Sequence, residues 1–406
     1  MPSAVPRMTP ADARHIVDSA CFGGAADGRV GLECELLVYA AADPLAPPDP
    51  AAVGQALAGV HLPAGSTVTF EPGGQLELST APLADVGAAC RAMAADTATV
   101  EAALADVGLV LAGIGLDPLR SPQRVVTAPR YDAMEAFFDL DGDAGRRMMC
   151  STSSLQVNLD TGTGDDVEAR WALAHAVSPV LAAAFANSAV AGGRPTGHRS
   201  ARLSTWWEID PTRTAPTKPC TRAGWVEYAM RARVMLVRLD DDRCTAVREH
   251  LTFDDWVRHG HRLGHPTVDD LLYHLTTLFP PVRPRGRLEL RVIDALPSPW
   301  WAVAAAVATA LLDDERAAAV AREATARTLG LWREAGESAL AHPLLADAAR
   351  RCFAAALDAL PRVGADEPTI TATARFVEQY VARGRCPADD QLDAWQSAPS
   401  RSAPWS

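Results

Sequence analysis

Apolar and polar residues alternate with period two along Arg29–Tyr39 (RVGLECELLVY). That predicts a strand with Leu32, Cys34 and Leu36 on one face and Glu33, Glu35 and Leu37 on the other. Thr67–Thr80 reads as strand, Pro-Gly-Gly turn, strand, and Val107–Gly113, Ser151–Asp160 and Arg287–Asp294 read as further strands. Helices are predicted at Thr9–Ser19, where Thr9-Pro10 supplies a start signal, and after the Pro-rich loop Asp43–Pro50. Others are predicted at Leu83–Val107, from Arg130 to Phe138, at Val167–Val190, and through nearly all of the chain after Ser298, up to a frayed tail over the last dozen residues. Gly192–Cys220, rich in Gly, Pro, Thr and Arg, reads as a long loop interrupted by Trp206-Trp207, and long loops are often functional. Strands and helices mix without a βαβα rhythm, so the expected class is α+β with an antiparallel sheet.

Composition narrows the function. The 406 residues are 48% hydrophobic, the content of a globular chain. A net charge of -12 disfavours a nucleic acid or an anionic membrane as partner, because both need a basic face. The apolar runs Trp171–Gly193 and Trp300–Leu312 are interrupted or short against the roughly 20 residues of a membrane span, and read as buried helices. The first residues lack the apolar stretch of a signal peptide, and the eight cysteines are scattered without a CxxC, so a reduced cytoplasmic protein is expected. Neither GxGxxG nor GxxxxGK[ST] occurs, which removes the Rossmann and Walker sites.

The candidate chemistry lies in acids that sit where a strand should carry aliphatics. Glu33 and Glu35 leave one face of their strand, and Glu71 and Glu77 flank the EPGGQLE turn, with Gln75 beside Glu77. Glu289 and Arg291 share a face in LELR, as Gln156 and Asn158 do in SLQVNLD. Burying one carboxylate costs several kcal/mol unless it is compensated. Five on facing strands call for a divalent ion, and Mg²⁺, a hard ion that takes oxygen ligands and keeps positions for phosphate, suits them. Arg130, Arg199, Arg202, Arg213 and Arg291 lie in or beside the same segments, and arginine forks bind carboxylate and phosphate. His259, His261 and His265 (HGHRLGH) read as a solvated helix end or loop, because no acid partner stands at catalytic spacing.

Six motifs then occur in order: GLECE (Gly31–Glu35), FEPGGQLELSTAPL (Phe70–Leu83), RYDAMEAF (Arg130–Phe137), MMCSTSSLQVNLD (Met148–Asp160), RLSTWWEIDPTR (Arg202–Arg213) and RLELRVIDALP (Arg287–Pro297). Together they resemble the plant-type glutamate–cysteine ligase family, in its actinobacterial branch that makes γ-glutamylcysteine for ergothioneine biosynthesis. The resemblance runs from about residue 29 to 297, with a helical part from about 298 to 395, and the whole of 1–406 reads as a single catalytic domain.

What the resemblance implies is a glutamine synthetase-like fold, a curved antiparallel sheet with helices outside. It also implies ATP as co-substrate, two or three Mg²⁺ ions, and glutamate and cysteine as the partners to be joined. By motif, Glu33, Glu71 and Glu77 are expected to hold one Mg²⁺, and Glu35, Glu289 and Gln156 to surround another between the ATP phosphates. Arg291 is expected to face the transferring phosphate with Glu289 as its catalytic companion. Arg202, Arg213, Gln75, Asn158 and Trp206 are expected on the substrates. Two other readings stay open: a ligase of the same fold with a different acceptor amine, and a nucleotide-binding relative without turnover. No coiled-coil heptad fixes an oligomeric state.

Overall fold

The computed structural model of the chain describes residues 7–24, 27–164, 166–240 and 243–397. The first six residues of the chain, and the expected tail beyond Ser397, lie outside them. The strands are β1 (Val30–Ala40), β2 (Thr67–Phe70), β3 (Leu76–Ser79), β4 (Leu109–Ala112), β5 (Ser154–Leu159), β6 (Val190–Ala191), β7 (Arg194–Pro195), β8 (Leu236–Asp240), β9 (Arg243–Ala246), β10 (Val282–Pro284) and β11 (Leu288–Asp294). One sheet runs β10–β11–β5–β1–β3–β2, with β4 paired to β1, and its pairings are antiparallel. The α+β class is therefore the observed one.

Period-two alternation sorts the sheet into two chemically opposite faces. Leu32, Cys34, Leu76, Leu78, Leu155, Val157, Leu288 and Leu290 enter the main core. Over that face pack the helices Val86–Ala105, Asp166–Ala184 and Trp300–Asp313, which contribute Met93, Val100, Trp171, Val177, Val303 and Leu311. The opposite face carries Glu33, Glu35, Glu77, Gln156, Asn158, Glu289 and Arg291 at the intervening positions. A second apolar cluster of Met134, Phe137, Phe138, Met148, Met149, Ile209 and Met235 forms beyond that polar face.

Most elements form where the sequence placed them, and local chemistry explains their ends. Thr9 and Asp12 make a reciprocal capping box at the start of the helix Pro10–Phe22. Two expectations need correction. The helix expected to reach Val190 stops at Ala184, because Asn187 turns its amide to the backbone carbonyls of Gly113 and Ala295 instead of continuing the helix. The expected loop Gly192–Cys220 contains the helices Ala201–Trp207 and Pro211–Thr214, whose N-cap side chains are Ser200 and Asp210. Between residues 221 and 286, Thr221, Thr252 and Thr267 cap three helices that hydrophobic patterning alone did not single out.

Candidate active site

The acidic side of the site is built by strand register. Glu35 on β1 stands opposite Glu77 on β3, Glu33 stands opposite Gln156 on β5, and Asn158 stands opposite Glu289 on β11. Glu71 is delivered by the turn between β2 and β3, closed by the Glu71 N–H donating to the Gln75 carbonyl at 2.9 Å. Glycine is required there: a Cβ on Gly73 would lie 2.1 Å from the Cys150 carbonyl oxygen, and Gly74 has φ +83°. Among the described residues, one oxygen from each of Glu35, Glu71 and Glu77 lies within 4.8 Å of the others.

These carboxylates hold protons unusually well. Burial, then Glu35 and Glu77, pushes Glu71 up to about 8. Burial raises Glu35 against the pull of Arg202 and Arg291, and burial with Glu35 raises Glu77. Glu33 is raised by burial, then by Glu289 and Glu77. Glu35, Glu71 and Glu77, three converging hard oxygen donors whose charges oppose one another, fit a hard dication, which would oppose the upward shifts of these three.

Opposite the acids stands a cationic wall. A cavity of about 440 Å³ is lined by Glu33, Glu35, Glu71 and Glu77 together with Arg130, Arg202, Arg283, Arg285 and Arg291. The Arg291 Nη1 donates to the Gln156 oxygen at 2.5 Å, and the Gln156 amide donates to Glu35 at 3.0 Å, so acid and base are joined through one glutamine. Three buried polar atoms on cavity-lining side chains have no hydrogen-bond partner among the described residues: Gln75 Oε1, Arg202 Nη1 and Trp206 Nε1. A buried polar atom without a partner costs about 1–3 kcal/mol, so each is a place where a polar ligand gains affinity.

The structure brings together Glu33, Glu35, Glu71, Gln75, Glu77, Gln156, Arg202, Trp206 and Arg291 around this cavity, with several departures from expectation. Glu35 replaces Glu33 in the group with Glu71 and Glu77, because it is Glu35 that shares a register position with Glu77. The Gln156 oxygen, its only ligand atom, accepts a hydrogen bond from Arg291, which leaves one lone pair for a ligand. Glu289 is fully buried with both oxygens on Arg283, at 2.5 and 3.0 Å. Burial alone would raise its carboxyl, yet Arg283 and Arg291 outweigh that and hold it at about 2.

Arg213 is absent from the cavity lining. Its guanidinium donates to the carbonyls of Thr277 (2.6 Å) and Arg233 (2.5 Å) and pairs with Asp210 at 3.2 Å, which makes it a structural tie. Arg199 pairs with Asp389 at 2.7 Å. Asn158 joins Glu33 (3.1 Å) to Arg287 (2.9 Å) and lines a second cavity of about 580 Å³ that shares Glu33 with the first. Trp207 packs on Trp332, so the Trp pair divides between cavity and core. His261 does have an acid partner, Glu249, brought in by the fold from outside the His-rich run.

Sequence reasoning missed Arg283, Arg285, Tyr131, Thr276 and Phe279 in the cavity. The only linear sign of the first two was the alternation of arginines in VRPRGRLELR.

A sheet face that sets carboxylates against arginines around one polar cavity defines a protein that handles phosphate and carboxylate groups. The model of Glutamate-cysteine ligase family 2 (GCS2) matches residues 29–403, and the chain belongs to this family, whose members are ATP-dependent ligases. The glutamate–cysteine ligase EgtA of Mycobacterium tuberculosis (strain H37Rv) is 42% identical over 393 residues, covering 94% of this chain and 89% of the relative. EgtA of Mycolicibacterium smegmatis is 41% identical over 377 residues, covering 90% and 87%. A chloroplastic glutamate–cysteine ligase of Medicago truncatula is 32% identical over 248 residues, covering 58% and 47%. No helix among the described residues is long and apolar enough to cross a membrane.

Proposed function

We propose that the chain joins the γ-carboxyl of glutamate to the amine of cysteine, converting ATP to ADP and phosphate and yielding γ-glutamylcysteine for ergothioneine synthesis. The observation that carries this reading is the cavity in which Glu35, Glu71 and Glu77 face Arg202 and Arg291. Family membership and the two mycobacterial relatives support the choice of substrates.

A carboxylate is inert to amines because its leaving group would be oxide. A γ-carboxylate oxygen therefore attacks the terminal phosphorus of ATP, ADP departs, and γ-glutamyl phosphate forms. The cysteine amine then attacks the acyl carbon, loses a proton, and phosphate leaves. Phosphoryl transfer is governed by positioning and charge neutralisation. Arg291, held by Gln156 and Glu289, presents a fixed positive charge to the transferring group. Arg202 Nη1, ion-paired with Asp294 at 3.7 Å but making no hydrogen bond among the described residues, is offered to a glutamate carboxylate, and Gln75 offers its oxygen, likewise without a hydrogen bond, to an ammonium or amine. Trp206, 5.6 Å from Phe279 ring to ring, walls the pocket against water.

Glu35, Glu71 and Glu77 are the residues we assign to Mg²⁺, which would supply charge neutralisation at the phosphates. Glu33, Asn158 and Arg287 border the second cavity, where we place the nucleotide. One hydrophobic cluster runs from the sheet into the C-terminal helices, and we read the whole chain as one catalytic unit. Its substrates, ATP and thiol cysteine, are those of a reducing cytoplasm, to which we assign it.

The test is ADP release with glutamate, ATP and a panel of amines, with and without Mg²⁺. Cysteine should be the preferred acceptor and EDTA should stop turnover. Equal rates in EDTA would overturn the metal assignment, and another preferred amine would overturn the product.

A further inference from the structure

Arg202 is held from behind by a buried polar knot that takes no part in the steps above. Asp294, at the end of β11, accepts from the Asn187 backbone N–H (2.8 Å) and the Ser188 hydroxyl (2.7 Å) at one oxygen, and from the Ser200 hydroxyl (2.9 Å) at the other. Arg202 Nη1 lies 3.7 Å from that second oxygen. The Ser188 hydroxyl oxygen accepts from the Arg202 backbone N–H at 3.1 Å. Ser200 caps the helix Ala201–Trp207 by accepting from the Leu203 N–H, also at 3.1 Å. Both the backbone and the guanidinium of Arg202 are thus referenced to a single carboxylate, itself 1% exposed.

The knot reaches the far end of the described chain. The Asn187 amide is spent on Gly113 and Ala295, which leaves its side-chain oxygen and its carbonyl to accept from Gln391, at 2.7 and 3.0 Å. The Gln391 oxygen accepts from the Ala189 N–H at 2.9 Å. Gln391 lies in the helix Pro387–Ser397, which Asp389 pins to Arg199 and the Trp395 indole pins to the Gly193 carbonyl at 3.0 Å.

Among the described residues, the guanidinium of Arg202 makes one hydrogen bond, from Nη2 to the Arg291 carbonyl at 2.9 Å. Of the charges acting on that guanidinium, Asp294 is the strongest, ahead of Glu35. A fork that grips a planar carboxylate loses affinity when displaced by about 1 Å.

We propose that Asp294 and Gln391 are positioning residues for glutamate: the terminal helix, through Gln391, Asn187 and Asp294, sets the pose in which Arg202 meets its substrate. This rests on the reading of Arg202 as a glutamate ligand, and the experiment separates the two. ADP release by the full chain is measured for the unmodified protein, Gln391→Ala, Gln391→Glu and Asp294→Asn, varying glutamate, cysteine and ATP in turn, with thermal melts alongside.

Gln391→Ala should raise the glutamate KM about tenfold, with kcat and the ATP KM within about twofold. Gln391→Glu keeps the acceptor for Ala189 but loses the donors to Asn187, so it should match Gln391→Ala. An unchanged glutamate KM in Gln391→Ala, or a parallel loss across all substrates and kcat, would overturn the proposal. Asp294→Asn, where it folds, should raise the glutamate KM at least as much as Gln391→Ala, and an unchanged glutamate KM would overturn its role; if it does not fold, the half-buried Gln391 variants decide. Absence of glutamate-dependent ADP release in the unmodified protein would instead strike the reading of the reaction.

Discussion

Glu35 and Glu77 face each other directly across the β1–β3 ladder, on the same face of the sheet, with the Glu71 carboxylate converging on them from the adjoining turn. Like charges directly opposite in a ladder destabilise it. The sheet therefore carries a repulsion that a proton or a dication relieves, and activity and stability should respond in opposite directions when one charge is removed.

If Glu35 holds Mg²⁺ as proposed, Glu35→Gln should lower Mg²⁺-dependent ADP formation by about 100-fold or more, because one charged oxygen donor is lost. The same variant, measured without metal at pH 8, should melt about 2 °C or more above the unmodified protein. A variant that loses both activity and metal-free stability would show that Glu35 is a structural group.

The Glu71 carboxyl sits at about 8 against an ordinary value of 4.5, pushed there by burial and its acidic neighbours. The folded chain thus binds a proton that the unfolded chain has lost between these values. That contribution is intact below pH 4.5 and is lost as pH rises through 8. Metal-free protein should melt at progressively lower temperature from pH 6.5 to pH 8, and Mg²⁺ should restore more stability at pH 8 than at pH 6. Differential scanning calorimetry at both pH values, with and without Mg²⁺, checks it; equal Mg²⁺ shifts would contradict it.

Two buried histidines set the acid limb. Burial lowers His175 to about 4, and burial with Arg213 lowers His274 to about 3, both from 6.5. Below 6.5 the unfolded chain takes up protons that the folded one refuses, so stability present above pH 6.5 is lost as pH falls toward those values. The slope of melting temperature against pH between 6.5 and 4.5 should flatten in His274→Gln, and an unchanged slope would assign the acid limb to other groups.

Arg202 and Arg213 belong to one sequence motif but should fail differently. Arg202→Lys should raise the glutamate KM by about tenfold or more, because an ammonium cannot reproduce the fork. Arg213→Lys should leave the kinetic constants of the folded fraction nearly intact and lower the melting temperature, because it breaks ties to Thr277, Arg233 and Asp210. Kinetics and melts on the two purified variants distinguish these outcomes; a raised glutamate KM in Arg213→Lys would return that residue to the site.

Gly73→Ala places a Cβ 2.1 Å from the Cys150 carbonyl oxygen, a backbone atom that cannot swing away. The turn carrying Glu71 must shift, and activity should fall by about 100-fold with a loss of a few kcal/mol in stability. Ser in place of Ala should do no better, since the clash is at Cβ.

The linear sequence determined which way each side chain leaves its strand. The alternation in RVGLECELLVY, QLELS, SLQVNLD and RLELR separates leucines from carboxylates wherever the strands lie, and it sufficed for the acidic face; the α+β class came from the order of strands and helices, and the family from the resemblance of six motifs in sequence. It could not determine register or competition for partners. Which glutamates converge depended on Glu35 meeting Glu77 across a ladder. Whether Glu289 was open to a ligand depended on Arg283, a neighbour across the β10–β11 pair. Arg202 and Arg213 are both fully buried arginines of one motif, and only the third dimension left one with an unmatched donor and enclosed the other in carbonyls. Direction is a local property of the backbone, whereas a hydrogen bond or a shared charge is settled by which distant groups the tertiary fold brings within reach.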